Sequence, residues 1–331
     1  MANAARRLTD SKAMALYATG FNAWGQLSFG TNPEDQEPND NFEFVQVLQG
    51  DDISAPVSRL SYTVVHLDGQ LHTAGISPED EPALQDTVAV AEAANGEILT
   101  AQSYGADILD GQVTREASHV LKKFSSLETL KAGRPDKCWP VECPVKQVAA
   151  FNAGFVILFE DGNVATMGDA RFEDCLGRDI SEDEPAADPC IVADLASLGE
   201  PIKKVSAAGY TLAALTESGG LYLWGMTPHS SQDNRGSHLP VSRVPNYVEV
   251  DGDKDVLDMA IGDSHIISLT TDGCVYVIGG NSNGQIGLGK AFVDGVRIWK
   301  KVGLNLLDGQ KAIGVAAGPR ASFILTTRAH T

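Results

Sequence analysis

The sequence predicts an all-β propeller, and three observations carry that prediction. The first is a segment that occurs twice. Val275-Tyr276-Val277-Ile278-Gly279-Gly280-Asn281-Ser282-Asn283-Gly284-Gln285-Ile286-Gly287-Leu288-Gly289 repeats the plan of Leu16-Tyr17-Ala18-Thr19-Gly20-Phe21-Asn22-Ala23-Trp24-Gly25-Gln26-Leu27-Ser28-Phe29-Gly30. Each is a short apolar strand, a glycine turn, an Asn, then Gly-Gln-(Leu/Ile) and a closing Gly. Recurrence at a distance marks a repeat architecture. The second is the longer unit to which that tail belongs. The third is a last copy cut in half, whose missing strand opens the chain.

The unit is clearest at its fourth occurrence. Val256 to Ile261 alternates as a strand, Gly262 turns it, His265 to Leu269 forms a second strand, and Asp272-Gly273 leads into the third. Asp-Gly between apolar runs is a hairpin signal, because both central residues of the turn must tolerate positive φ. The same order runs from Val205 through Leu212–Leu215 and Ser218-Gly219 to Leu221–Gly225. It runs again from Val148 through Phe155–Leu158 and Asp161-Gly162 to Val164–Gly168. A worn copy has Tyr62–Val65, Asp68-Gly69 and Leu71–Gly75. The hairpin glycines 162, 219 and 273 lie 57 and 54 residues apart. Finally Val315–Gly318 and Phe323–Leu325 supply two strands, and Leu16 to Ala18 is the third that they lack. A sheet shared by the two chain ends closes a ring and leaves no open edge.

Gly-x-Asn-x-x-Gly-Gln-Leu-x-x-Gly after a Tyr/Trp-Gly strand resembles the repeat of the regulator-of-chromosome-condensation (RCC1-like) propeller family. The likeness is strongest at 14–30 and 254–290, extends over 202–226 and 145–179, thins at 57–75 and is absent at 76–140. The resemblance implies seven blades. Five are legible, counting the split one, and the interval 76–140 has room for one or two more, so the expectation is six to seven. Residues 1–13 read as a flexible N-terminus and 14–331 as one propeller, with 76–140 degenerate or inserted. Within that interval, Glu116–Phe124 has helix formers with apolar residues three and four apart, which predicts a helix in an insertion at 107–131 packed beside the ring.

A chain of 331 residues with 43% hydrophobic content can bury a large core, and the ring uses all of it. Lys+Arg 25 against Asp+Glu 44 gives a net charge of −19, which argues against binding nucleic acid or an anionic membrane. Five scattered cysteines without a Cys-x-x-Cys pair argue against a disulfide framework and a zinc site. No apolar run reaches membrane-spanning length, so the expected location is the cytoplasm, the nucleus or both.

The motifs that could carry chemistry fail on mechanism. Gly284 to Lys290 has the Gly-x₄-Gly-Lys half of a phosphate loop. Ala291 stands where a Mg²⁺-binding hydroxyl belongs, and no helix start follows. Asp251, Asp253 and Asp255 alternate as in a calcium loop but lack its distal Glu. His265 follows Gly262 in the repeat's Gly-x-x-His position and reads as a core residue tying blades together, as Trp224 and Tyr276 read as packing residues. No nucleophile, base and oxyanion donor assemble, so no enzyme activity, cofactor or metal is expected.

Binding candidates are fewer. Trp24 replaces the Asn283 of the second copy, so the fold does not demand it, and a displaced aromatic is a natural contact residue. Phe21 and Trp139 are two further candidates. Glu34 and Asp35, Glu79 and Asp80, and Glu182 and Asp183 each follow the third strand of a blade, where equivalent connections open on the same side. They predict an acidic rim for a basic partner.

The resemblance implies a non-enzymatic protein-interaction scaffold, monomeric or in a heterodimer. In build the chain is similar to small fungal alpha-tubulin-suppressor-type members, which partner a zinc-ribbon protein of diphthamide synthesis and support tRNA wobble-uridine modification. It is also similar to the type that partners a nuclear histone-modifying enzyme. The alternative is guanine-nucleotide exchange on a Ran-type GTPase, with Asp174 in Arg171-Phe172-Glu173-Asp174 as the counterpart of the acidic loop used there.

Overall fold

The computed structural model describes residues 14–30, 39–77, 89–104, 107–109, 112–115, 118–226, 239–304, 306 and 309–328. Among the described residues six antiparallel sheets of three or four strands follow one another along the chain, five of four strands and one of three, with a separate two-stranded hairpin. In chain order the three-stranded sheet is β3 (Val57–Ser58), β4 (Tyr62–Leu67) and β5 (Gln70–Gly75). The next is β6 (Ala89–Glu92), β7 (Ile98–Tyr104), β10 (Ser118–Phe124) and β11 (Lys137–Val141). Then come β12 (Val145–Phe151), β13 (Gly154–Phe159), β14 (Val164–Gly168) and β15 (Cys190–Ile191). They are followed by β16 (Ile202–Ala208), β17 (Thr211–Thr216), β18 (Leu221–Gly225) and β19 (Asn246–Tyr247). The fifth sheet is β20 (Val256–Ile261), β21 (His265–Thr270), β22 (Val275–Gly279) and β23 (Val296–Lys301).

The sixth joins the chain ends in the order β2-β1-β25-β24. Here β1 (Met14–Gly20) lies between β2 (Asn41–Gly50) and β25 (Ala321–Arg328), and β24 (Gln310–Gly318) is innermost. Leu16 pairs with Leu325, and Ala18 with Phe323. The shared sheet expected from the split copy is therefore present.

The interval 76–140 departs from expectation. The segment expected to be a helix is β10, paired along its length with β7 so that Leu121 faces Ala101. Apolar residues at 120, 121 and 124 suit either structure locally, and strand pairing decides. The interval is thus a blade, and β8 (Asp107–Leu109) and β9 (Gln112–Arg115) form a hairpin between its second and third strands. The one short helix here, α1 (Leu127–Lys131), is capped by Ser126 and sits in the β10–β11 connection. One blade occupies the described part of the interval, so the described residues form six.

The core lies between blades. β13 is buried on both faces, with Val156 and Leu158 in the cluster shared with β16–β18, and Phe155, Ile157 and Phe159 in the one shared with β7 and β10. Strand periodicity of two sends alternate side chains to opposite neighbours. β17 does the same, with Leu212 and Ala214 on one side and Ala213 and Leu215 on the other. Each fully buried Leu, Ile, Val or Phe contributes about 1.5–3 kcal/mol.

A repeated irregularity adds polar latches. The inner strands carry register shifts at Val145/Gln147, Ile202/Lys204 and Val256/Asp258. Each bulge aims one side chain at the next blade. Gln147 exchanges two hydrogen bonds with the Val205 backbone, at 2.8 and 3.1 Å. Lys204 pairs with Asp258 at 2.5 Å, and Asp258 accepts the Val315 N–H at 2.9 Å.

Candidate functional site: the loop face and the channel mouth

The turns between the first and second strands of all six blades surround one cavity of about 390 Å³, where Arg59, Glu92, Asn152, Gly209, Asp263 and Pro319 each come from a different blade. This is the mouth of the central channel. The connections from third to fourth strand start beside the same turns. Phe21 N–H bonds to Arg320 O, Ile76 to Ser61 O, Asp169 to Ala153 O, Met226 to Tyr210 O and Gly280 to Ser264 O. One face therefore carries the channel mouth and the starts of these connections.

The repeat motif builds the loops. Asn22 Oδ1 accepts the Leu27 N–H at 2.8 Å, and Gln26 Oε1 accepts the Trp24 N–H at 2.9 Å. The second copy matches it, with Asn281 accepting from Ile286 at 3.1 Å and Gln285 from Asn283 at 2.9 Å. The Asn and Gln close the loop and have no spare chemistry. The Gln amide also reaches out of its loop: Gln26 Nε2 donates to Leu60 O at 3.0 Å and Gln285 Nε2 to Ser264 Oγ at 3.3 Å. Gly284 to Lys290 is such a loop. A three-residue 3₁₀ turn at Lys290–Phe292 follows it, and Lys290 lies over the Phe42 ring. It offers no helix N-terminus to a phosphate.

The candidates fall in different places. Trp24 is 49% exposed at its loop tip, whereas the equivalent Asn283 donates to Asp40 at 2.8 Å. Phe21 lies under the Arg320 guanidinium, 5.8 Å from its ring centroid, close to the channel mouth. Trp139 is on the outer strand β11, packed against the β7–β13 cluster, with its indole N–H donating to Asp188 at 3.2 Å. Asp174 lies in a 3₁₀ segment, Ala170–Cys175. Arg243, from the equivalent loop of the next blade, approaches Glu173 and Asp174 at 3.8 Å each and Asp179 at 3.1 Å. Glu182 and Asp183 are exposed in the turn from Ser181 to Glu184. Glu34, Asp35, Glu79 and Asp80 lie outside the described residues.

Arg178 organises the same loop and was not singled out from sequence. It is buried and donates to the carbonyls of Thr166, Asp179, Glu184, Pro185 and Asp188. An isolated Arg in a loop gives no sequence signal of that role. Leu60 and Ile76 were missed as well. They are 49% and 61% exposed, and the turns that carry them are joined by the Ile76 N–H bond to Ser61 O.

Burial sets the titration of three groups near the face and in the core. Asp263 is open to solvent yet hemmed by the channel rim, so desolvation raises its carboxyl pKa, partly offset by Arg320. The Cys175 thiol is pushed up to about 12, chiefly by burial, which keeps it protonated and unreactive at neutral pH. His265 is fully buried, and burial lowers it to about 4. It is neutral at physiological pH and packs at the turn between Gly262 and Ala321. Among the described residues no group of three or more His, Cys, Asp or Glu could hold a metal ion.

Comparison with known proteins agrees with this architecture. A family model for the regulator of chromosome condensation (RCC1) repeat matches residues 256–285. The mouse regulator of chromosome condensation is 35% identical over 153 residues, 45% of this chain and 34% of that protein. The mouse E3 ubiquitin-protein ligase HERC2 is 32% identical over 50% of this chain and 3% of its own length. The chain thus spans about a third of the length of the regulators it matches. Among solved structures, human WBSCR16 superposes with a TM-score of 0.62 at 13% identity, covering 94% of this chain and 98% of that one. Yeast RCC1 (Prp20), solved bound to Kap60, gives 0.54 at 14% identity, covering 96% and 90%. With its repeats, its shared closing sheet and these relatives, the chain carries an RCC1-type repeat and has the fold of the RCC1-like propellers.

Proposed function

We propose that the chain is a non-enzymatic protein-interaction scaffold that receives its partner on the loop face around the channel mouth. The observation that carries this is the convergence there of exposed apolar residues and unabsorbed charge, while the polar side chains of the repeat are spent on closing their own loops. One solved relative is seen bound to Kap60, and Prp20p is described by its binding to Gsp1p and histones. Those partners belong to those proteins, and they support a binding role for the face. The narrower partners implied by the build of the chain are the finer level of this proposal: a small zinc-ribbon protein serving diphthamide synthesis and tRNA modification, or a nuclear histone-modifying enzyme. Work in the cytoplasm, the nucleus or both fits either.

Nucleotide exchange on a Ran-type GTPase is the second reading, and similarity to the regulators of chromosome condensation favours it. The Asp174 geometry counts against it. A carboxylate already facing Arg243 is a weaker competitor for a nucleotide-site cation than a free one.

Affinity purification of the tagged chain from its own organism, with mass spectrometry, tests the scaffold reading. The expected result is a stoichiometric protein partner. Recovery of a small GTPase, enriched when nucleotide is stripped, together with acceleration of its GDP release by the purified chain, would replace it with the exchange reading.

A further inference from the structure

The negative charge is not spread evenly along the chain. From Ala13 to Thr114 the chain has sixteen Asp and Glu and a single basic residue, Arg59, so this stretch holds −15 of the net −19. Its described strands form one contiguous sector, β1 and β2 of the closing sheet, β3–β5, and β6 and β7 of the next blade, where Asp40, Glu43, Asp51, Asp52, Asp68, Glu92 and Glu97 stand against Arg59. The remaining two thirds are nearly neutral. The same sector carries three exposed apolar side chains on the loop face, Trp24, Leu60 and Ile76. Gln26 ties two of them together across a blade boundary, since its amide accepts the Trp24 N–H and donates to Leu60 O. Ile76 is held to the Leu60 turn through Ser61 O at 2.8 Å. The approach is close: a Cβ at Gly75 would lie 2.9 Å from the Gln26 Cα.

We infer that this sector is the docking surface for a protein with a basic face, whose apolar side chains seat on Trp24, Leu60 and Ile76. The inference rests on the scaffold reading and names its partner class. Charge complementarity selects the occupant. A second copy of this chain would bring like charge against like charge, and nucleic acid or an anionic membrane would be repelled likewise. A basic protein is steered in by the field and then held by the desolvated apolar centre, so salt acts mainly on arrival and the aromatic on residence. Arg59, at the channel mouth, is the one basic residue the stretch itself contributes, while Arg320 and Lys290 reach over Phe21 and Phe42 from neighbouring strands and loops.

Site-specific photocrosslinking in an extract of the organism of origin tests it. Benzoylphenylalanine replaces Leu60 or Ile76 in turn, and, as controls on other blades, Ile191 or Tyr247, all exposed positions. Each variant is first checked for a wild-type melting temperature. The expected result is a protein crosslinked from 60 and 76 through a Lys/Arg-rich peptide. Its yield should fall at least tenfold with Trp24→Ala added to the position-76 probe, and at least tenfold at 0.5 M NaCl. Crosslinks only from 191 or 247 would overturn this surface and leave the scaffold reading standing. Contact peptides that are acidic or neutral, with salt-insensitive yield, would overturn the partner class. Crosslinks from none of the four would overturn both.

Discussion

The Asp258 latch makes the sharpest stability prediction. Its carboxylate pairs with Lys204 at 2.5 Å from the preceding blade and accepts the Val315 N–H at 2.9 Å from the following one. It also accepts the Met259 N–H at 2.9 Å. Asp258→Ala removes all three and leaves the Val315 N–H facing an interface without an acceptor. A buried donor left unpaired costs about 1–3 kcal/mol, and a hydrogen bond to a charged group is worth about 1.5–3 kcal/mol. The Lys204 pair is a quarter to a third exposed, so screening holds its share below about 1 kcal/mol. The expected total is about 2–4 kcal/mol. Asp258→Asn keeps an amide oxygen for Val315 and loses mainly the ion pair, so about 1 kcal/mol is expected there. At about 2.1 cal/mol/K per residue the unfolding entropy of 331 residues is roughly 0.7 kcal/mol/K, so the Ala variant should melt about 3–6 °C lower and the Asn variant about 1 °C lower. Differential scanning calorimetry and urea denaturation at neutral pH measure both. Equal losses in the two variants, within about 0.5 kcal/mol, would show that the backbone acceptor role is not what holds these blades together.

Other perturbations separate packing from exposure. Trp224→Ala should cost about 3–5 kcal/mol, because the ring is fully buried and its indole N–H donates to Cys175 O at 3.0 Å. Trp24→Ala should change the unfolding free energy from urea denaturation by no more than about 0.5 kcal/mol, since an exposed loop tip packs little. Gly279→Ala should destabilise strongly, for at φ +116° its Cβ would meet Ser264 O at 2.3 Å, while Gly25→Ala at φ +69° in open space should cost about 1 kcal/mol. His265 has a folded pKa of about 4 against the usual 6.5. The neutral ring's contribution is therefore complete above pH 6.5 and is lost as pH falls towards 4, up to about 3 kcal/mol. His265→Leu should flatten that part of the stability–pH curve relative to wild type, measured by urea midpoints from pH 7 to 4.5.

Much of the ring was legible because its signals are local. Asp-Gly hairpins, the Asn and Gln of the glycine loop and alternating strands at a mid-fifties period each act within a few residues, and Leu16–Ala18 could be matched to the half-blade at 315–325 on pattern alone. The hairpins differ in detail. Both Asp68 and Gly69 have positive φ, while at 161–162 and 272–273 only the Gly does. The blade at β6–β11 was illegible because its second and third strands are separated by the β8–β9 hairpin, and because Ser118–Phe124 is a strand only through its pairing with β7. The site was less readable still. Trp24 stood out by comparison with Asn283, but the exposure of Leu60 and Ile76 and the enclosure of Trp139 depend on which blades meet. The concentration of charge in one sector was present in the sequence, yet it acquires a location only once the ring order is known.

Hydrogen-exchange mass spectrometry of the complex recovered by affinity purification, compared with the free chain, tests the central claim most directly. The account predicts slowed exchange in the loop-face segments 22–30, 59–62 and 74–77, with little change at 190–191 and 246–247. Protection confined to the outer strands of other blades, or no complex to compare, would contradict it.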